Sequence, residues 1–358
     1  MSSVQGESLK LTIFGQSHGN AIGMTLDGVP AGLKVNIEEL QAFLDRRAPG
    51  HHSYDTPRKE ADIPEFLSGI VNGRTCGAPI TAIIRNENTQ SRDYDALRTR
   101  PRPGHADYTA FIKYQGQHDI AGGGHFSGRL TAPLCIAGGL CLQWLTQVGV
   151  NIRAYIQRIG NVATDPHLLD WCNPSLEQIP VDFPALTQDI ADKMKAEILQ
   201  AQNYGDSVGG TISCFVTGYP AGIGDALFYG MEGKLSYILF GIPAVKGIEF
   251  GSGFHGSELR GSQNNDPFIV SDGSIRTSTN NAGGILGGIT TGMPICFRVA
   301  IKPTPSIAVT QQTVNLETMQ AEPLTVKGRH DPCIVPRAVP VVEAATAFAL
   351  YDSLLGKS

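Results

Sequence analysis

Four histidines sit in short loops beside glycines or a carboxylate. They are His18 in Gly15-Gln16-Ser17-His18-Gly19, His105 in Pro103-Gly104-His105-Ala106-Asp107, His125 directly after Gly122-Gly123-Gly124, and His330 next to Asp331. Imidazole titrates nearest neutrality, so histidines presented on loops point to proton transfer. One loop histidine is ordinarily a solvated side chain; four in such similar settings favour chemistry. His105 with Asp107 and His330 with Asp331 could instead ligate a metal, although no His-Glu-x-x-His or comparable spacing supports such a site. Arg47, Arg102, Arg129 and Arg329 form a second group. The guanidinium fork matches phosphate and carboxylate oxygens, and at roughly 1.5–3 kcal/mol per charge-assisted bond three or four would hold a small polyanion at micromolar concentration. Taken singly, each could be a surface ion pair worth little.

These residues need elements to carry them. Leu9–Phe14 and Ile22–Leu26 read as strands bracketing the His18 loop. Asn36 followed by Glu39 has the pattern of a capping box, opening a helix with Ile37, Leu40, Phe43 and Leu44 as its apolar stripe and Arg46-Arg47 at its carbonyl end. A polar loop covers 51–62, Ala78–Ile84 reads as a buried strand, and Tyr108–Gln115 as a helix. The triple glycine and Ser127-Gly128-Arg129 lead to Thr131 as N-cap and Pro133 in the first turn of a helix that is apolar all round and so belongs at the centre. A glycine loop running onto a helix start offers amide donors to an anion. Strands are expected over Gly210–Thr217, Ala244–Phe250 and most of Ile285–Ile301, with helices near Asp189–Gln202 and from Pro340 to Leu354. Strand runs broken by a few long helices indicate an α+β fold in one domain covering 1–358, without repeats or a low-complexity linker.

Composition narrows the function. Of 358 residues 17% are charged and 41% hydrophobic, and the net charge is −5, which argues against a nucleic-acid or anionic-membrane partner. No window reaches about 18 uninterrupted apolar residues and no basic-then-apolar leader opens the sequence, so neither membrane spanning nor secretion is expected. The seven cysteines are scattered without a Cys-x-x-Cys pair, as for buried free thiols in a reducing cytoplasm. There is no P-loop. Gly251-Ser252-Gly253-Phe254-His255-Gly256 satisfies a dinucleotide fingerprint in spacing, but the residues after it do not read as the helix that fingerprint requires. An acidic protein with clustered loop arginines fits an enzyme acting on a small phosphorylated acid.

Six separated motifs together resemble the chorismate synthase family. They are Phe14–Gly19, Arg102–Tyr108, Gly122–Thr131, Ala244–Glu249, Asn281–Ile285 and Lys327–Cys333, in family order from about residue 8 to the last helix. The resemblance implies a β-α-β sandwich, with helices held between two antiparallel sheets, assembled as a homotetramer. It implies a cytoplasmic lyase of the shikimate pathway that converts 5-enolpyruvylshikimate 3-phosphate to chorismate by anti-1,4-elimination of phosphate, with reduced FMN as cofactor. Some members also use NADPH to reduce the flavin, and nothing in this sequence selects that property. By the same resemblance, His105 protonates or stabilises the reduced flavin near N1–O2, His18 acts as acid toward the departing phosphate, and Asp331 with Ser17 and Ser127 assists proton removal at N5. Arg47, Arg102, Arg129 and Arg329 map onto substrate-binding positions. His125, Phe126, Ser127, Ala244, Gly287, Lys302, Pro303, Thr304, Pro305, Ser306 and Arg329 map onto flavin-binding segments. No metal is implied.

The sequence departs from the family pattern at Gln16, where Glu is common, and at His125-Phe126-Ser127, where the commoner run carries an arginine and two serines. Ser53 and Pro243 replace a common Arg and Asn. A metal-dependent hydrolase built on His105, Asp107, His330 and Asp331, and a non-catalytic flavin or phosphate carrier, are the alternatives.

Overall fold

Alternation of buried and exposed side chains decides where the first sheet faces. Strands β1 (Val4–Gln5), β2 (Lys10–Gly15), β3 (Ala21–Asp27), β4 (Glu65–Ser68) and β5 (Ile80–Arg85) pair antiparallel in the order β1-β2-β3-β5-β4. Along β5, Ile80, Ala82 and Ile84 point to the core while Thr81 and Ile83 are partly exposed. The structure is a computed structural model and describes residues 3–50, 60–86, 97–165, 168–271, 273–326 and 331–356.

The second sheet comprises β6 (Asn151–Ile159), β7 (Val162–Ala163), β8 (Gly210–Thr217), β9 (Val245–Phe250) and β10 (Ile295–Ile301), antiparallel in the order β9-β10-β8-β6-β7. Its central strand β8 is buried on both faces. One face meets the main core; over the other, Leu169, Trp171, Leu176 and Ile179 close on Tyr155 and Phe215.

Between the sheets lie α3 (Thr131–Gln147) and α6 (Val335–Leu355), which pack on each other, α3 also against the first sheet and α6 against β6 and β8. The chain is therefore an α+β sandwich of sheet, helices and sheet. Neither helix has a polar face, because each is surrounded. Gly138 permits their close approach: a Cβ there would stand 2.3 Å from the Ala344 carbonyl oxygen. By length and composition α6 could cross a membrane, but it is buried between the sheets.

The remaining helices are α1 (Ile37–Asp45), α2 (Asp107–Lys113), α4 (Gln188–Asn203) and α5 (Met231–Leu239). Asn36 caps α1, its side chain accepting from the Glu39 amide at 3.1 Å. Gln143 of α3 exchanges two hydrogen bonds with the Asn36 backbone, at 2.9 and 2.8 Å. That clamp brings the C-terminal end of α1, with Arg46 and Arg47, to the start of α3.

Three expectations from sequence need correction. The last helix begins at Val335, not Pro340; Pro336 takes the first-turn position, and Pro340 lies inside the helix, where packing on both sides offsets its one missing backbone bond. Ile285–Ile301 is not mostly one strand. Gly287 and Gly288, both at positive φ, turn Ile285–Leu286 back on Ile289–Thr290 before β10 starts. Thr131 is the first residue of α3 rather than its cap, and a 3-10 turn over Gly128–Leu130, capped by Ser127, separates the glycine loop from the helix.

Candidate active site

The His18 loop leaves the end of β2 and is stapled by Asn86, just beyond β5. Its amide donates to the Gln16 and Gly19 carbonyls at 3.1 and 2.8 Å, and the Ser17 amide donates to the Gly124 carbonyl at 3.1 Å. The triple glycine then closes over the loop. Gly122, Gly123 and Gly124 all have positive φ, the conformation L side chains avoid. A Cβ on Gly122 would fall 2.0 Å from His18 Nδ1 and 2.7 Å from Ser17 Oγ, and one on Gly123 would fall 3.2 Å from His105 Nε2. Bare backbone is thus the seat on which His18, Ser17 and His105 converge, with Ser127 alongside, 3.8 Å from the same Gly123 position.

His105 is held from behind. Its Nδ1 lies 2.5 Å from Asp107 Oδ1, and Arg102 grips the same carboxylate with Nε at 2.7 Å, Nη2 at 2.8 Å and its backbone amide at 3.0 Å. Burial alone would raise the Asp107 carboxyl, but the hydrogen bonds from Arg102 and His105 outweigh it and hold the group well below the usual carboxylate range. Arg102 Nη1 also donates to Ser306 Oγ at 3.0 Å.

Arg47 and Arg129 meet on Asp62, a residue that sequence reading did not single out. Arg47 Nη1 lies 2.5 Å from Asp62 Oδ2, Arg129 Nη1 binds Asp62 Oδ1, and Arg129 Nε reaches Glu60 at 2.8 Å and Asn86 at 3.2 Å. Arg47 further donates to Thr131 Oγ1 and the Gly128 carbonyl. Burial pushes the Asp62 carboxyl up, and the charges of Arg47 and Arg129 more than reverse this. Asp331 is brought in by Arg337, whose Nη1 binds its carboxylate at 2.7 Å while Nε donates to the Arg47 carbonyl at 3.0 Å.

These groups surround a cavity of about 820 Å³, lined among others by Arg47, Arg102, His105, Ser127, Arg129 and Asp331. From the expected flavin segments, His125, Phe126, Ala244, Lys302, Thr304, Pro305 and Ser306 also line it. Ala244 holds a positive φ beside the bulge between Val245 and Gly247, a strained backbone of the kind found at functional sites. Lys302 is lowered by burial and by neighbouring Lys246. Ser17 and His18 stand behind Gly122, and Pro303 runs between lining residues without lining the cavity itself. Gly287 lies apart, in the turn of its hairpin. Arg329, His330, His51, His52, Ser53 and Arg58 fall outside the described residues.

His125, where family members commonly carry arginine, has its ring fixed: Nδ1 lies 2.9 Å from the Gly15 carbonyl, so that nitrogen carries the hydrogen, and Nε2 lies 3.0 Å from Ser3 Oγ. It ties the glycine loop to β2. Glycines 251–256 run into 3-10 turns over Gly253–Glu258 and one helical turn at Gly261–Asn264. Among the described residues, no three His, Cys, Asp or Glu side chains converge as a metal site.

Besides Asp62, sequence reading missed Glu60, Asn86 and Arg337. Asp62 had one available signal, its place before Ile63-Pro64 in a polar stretch, and that reads equally well as an ordinary turn.

The chain matches the chorismate synthase family over residues 9–355. It is 48% identical to the chorismate synthase of Lancefieldella parvula, over 99% of this chain and 96% of that one, and 47% identical to that of Thermococcus gammatolerans, over 98% and 97%. A solved crystal structure of a chorismate synthase superposes with a TM-score of 0.76 at 29% identity, covering 99% of this chain and 93% of the other. Sequence over the full length and sandwich topology agree, and this chain belongs to the chorismate synthase family, lyases that eliminate phosphate to form chorismate in the shikimate route to the aromatic amino acids.

Proposed function

We propose that this chain carries out the elimination on 5-enolpyruvylshikimate 3-phosphate with reduced FMN bound in the cavity that His105 lines. The observation that most supports this reading is that His105 and Gly122, which has His18 seated directly behind it, line a cavity of about 820 Å³. That is toward the upper end of the volumes small-molecule sites span, room for a cofactor and a substrate together.

The residues present fit a flavin. Phe126, Tyr114, Ile242, Pro243 and Ala244 offer apolar and aromatic surface for a flat ring system, and Lys302, Thr304 and Ser306 offer polar contacts to its edges and phosphate. Ser17 Oγ is buried with no hydrogen-bond partner among the described residues, a group next to Gly122 that a bound ligand can satisfy. When bound, reduced FMN supplies electron density to the allylic system and recovers it afterwards, which is why a reaction without net oxidation needs it.

The protein's own residues bind, orient and move protons. The phosphate leaves with the bonding electron pair and the ring loses a hydrogen from the far side, so one group must meet the phosphate oxygen and another the departing proton. His18 gives its proton to the leaving phosphate, and His105 presents Nε2 toward the ligands. Asp331, with Ser17 and Ser127, assists proton removal at the flavin N5. Arg47, Arg129 and Arg329 hold the phosphate and carboxylates. The enzyme works as a homotetramer of single-domain subunits in the cytoplasm, a reading favoured by the exposed apolar side chains Leu227, Phe228, Val270 and Ile275.

The test is anaerobic turnover. Purified protein with photoreduced FMN and the enolpyruvyl substrate yields chorismate and phosphate in equal amounts; phosphate without chorismate, or neither, overturns the proposal. Replacing photoreduction by NADPH in the same vessel shows whether the chain reduces its own flavin.

A further inference from the structure

We propose that Asp107 is the positioning residue for His105, and that Arg102 acts chiefly through Asp107 rather than on the substrate. This deepens the functional reading above and rests on it for the role of His105. The 2.5 Å contact between His105 Nδ1 and Asp107 Oδ1 admits one sensible hydrogen placement. Asp107 already accepts from three Arg102 donors, the backbone amide and Nε on Oδ2 and Nη2 on Oδ1. A carboxylate so surrounded stays ionised and is an acceptor only, so the hydrogen between it and the ring sits on Nδ1. Arg102 Nη2 also lies 3.1 Å from Nδ1, but a guanidinium cannot accept that hydrogen, so the ring is turned toward Asp107. Nε2, on the opposite edge against Gly123, is left to exchange a proton with whatever occupies the cavity.

All three residues come from one short stretch, Arg102 to Asp107, at the start of α2. Asp107 is 5% exposed and Arg102 5% exposed, so the pair is an internal brace rather than a solvated ion pair. Arg102 spends Nε and Nη2 on Asp107 and one Nη1 hydrogen on Ser306, which leaves little of its fork for a ligand phosphate.

Asp107→Asn makes a distinguishing change. The amide oxygen goes to the Oδ2 position, where two Arg102 donors converge, and the amide NH2 then faces His105 Nδ1 as a donor. The ring is driven to the neutral tautomer with its hydrogen on Nε2 and loses the carboxylate that stabilises the imidazolium able to deliver a proton from that edge.

The experiment is 15N NMR of histidine-labelled full-length protein at pH 8 without flavin, the His105 signals assigned by difference from a His105→Gln sample. Support is a protonated Nδ1 in the wild type and an unprotonated Nδ1 in Asp107→Asn. An unprotonated Nδ1 in the wild type overturns the proposal with no variant needed. In turnover, Asp107→Asn loses on the order of 10²-fold in kcat, with KM for the phosphorylated substrate changed less than about twofold. A KM rise with kcat intact overturns it in favour of direct substrate binding by this stretch. The tautomer needs neither flavin nor activity, so a wild type that fails to make chorismate removes the functional reading and leaves this measurement standing.

Discussion

Replacing Asp62 by asparagine removes one negative charge from between two buried arginines while sparing the backbone. Asp62 has φ 49°, in the left-handed region that asparagine tolerates, so the substitution adds no strain of its own. The Asp62 side chain is fully buried and those of Arg47 and Arg129 are each 4% exposed, so water cannot replace the lost charge. Asparagine keeps one acceptor and turns an NH2 toward the other guanidinium. Glu60 continues to offset Arg129, and the deficit falls on Arg47, left with the Thr131 hydroxyl and the Gly128 carbonyl. Breaking a buried pair by removing one partner costs about 3–5 kcal/mol, and the retained acceptor places this case near the lower end, about 3 kcal/mol. Urea denaturation at fixed protein concentration and pH 7 measures it. The pH dependence follows from the direction of the shift. The folded-state carboxyl lies below its unfolded value, so its stabilisation is fully present above the unfolded pKa and is lost as pH falls through the folded one. The gap between wild type and variant should hold constant from pH 8 to 6 and narrow from about pH 5 toward pH 3. A gap under about 1 kcal/mol at pH 7, or one that does not narrow in acid, refutes the role given to Asp62.

Gly122→Ala places a methyl 2.0 Å from His18 Nδ1, and a displacement of about 1 Å at a proton carrier costs on the order of 10²-fold in turnover; far-UV circular dichroism unchanged with turnover intact would show that His18 does not need this seat. Asp352→Ala leaves the amides of Glu7, Ser8 and Leu9, now held at 2.9, 2.8 and 2.7 Å, without their acceptor, which should cost about 3 kcal/mol in urea denaturation and speed hydrogen exchange at Leu9. Burial pushes the thiols of Cys135 and Cys333 up to about 12, so iodoacetamide at pH 8 should label exposed Cys76 in the native protein and reach these two only after unfolding; equal native rates at Cys76 and Cys333 would contradict the burial.

What could be read from the sequence was local. Asn36 with Glu39 marks the start of α1, β8 has the bounds its apolar run suggests, and the helix from 131 is central because its apolar residues leave no polar face. Start signals misled where two were available: Pro336 and Pro340 both suit a first turn, and only packing between the sheets selects the earlier one. The site shows the same division. Histidines beside glycines could be recognised because glycine has a conformational reason to be there. The carboxylates could not, since Asp62 stands 15 residues from Arg47 and 67 from Arg129, in a stretch with neither helical nor strand periodicity. Asp107 was visible but open to reading as a metal ligand; its partners decide against that, because three Arg102 donors and the His105 ring hydrogen together occupy the four lone-pair positions of the carboxylate.

The sequence pictured loop arginines forming a polyanion pocket, and the geometry pairs three of them, Arg47, Arg102 and Arg129, with buried carboxylates. Arg47 and Arg129 share Asp62, Arg102 holds Asp107, and Arg337 holds Asp331. Four bare guanidiniums beside one cavity would repel one another and carry a desolvation cost that a marginally stable protein could not sustain. Pairing removes most of that cost and fixes each fork before a ligand arrives, so binding does not have to order long side chains. The residual pull on an anion comes from Lys113, Lys246 and Lys302, which line the same cavity, and from guanidinium hydrogens such as those on the buried Nη2 of Arg129, which meet no acceptor among the described residues. Such a pocket grips a ligand that presents several negative groups at once more strongly than one that presents a single group. The proposed substrate, with a phosphate and two carboxylates, would engage several of these positions together, whereas the released phosphate alone would engage few, a difference that favours departure of the phosphate.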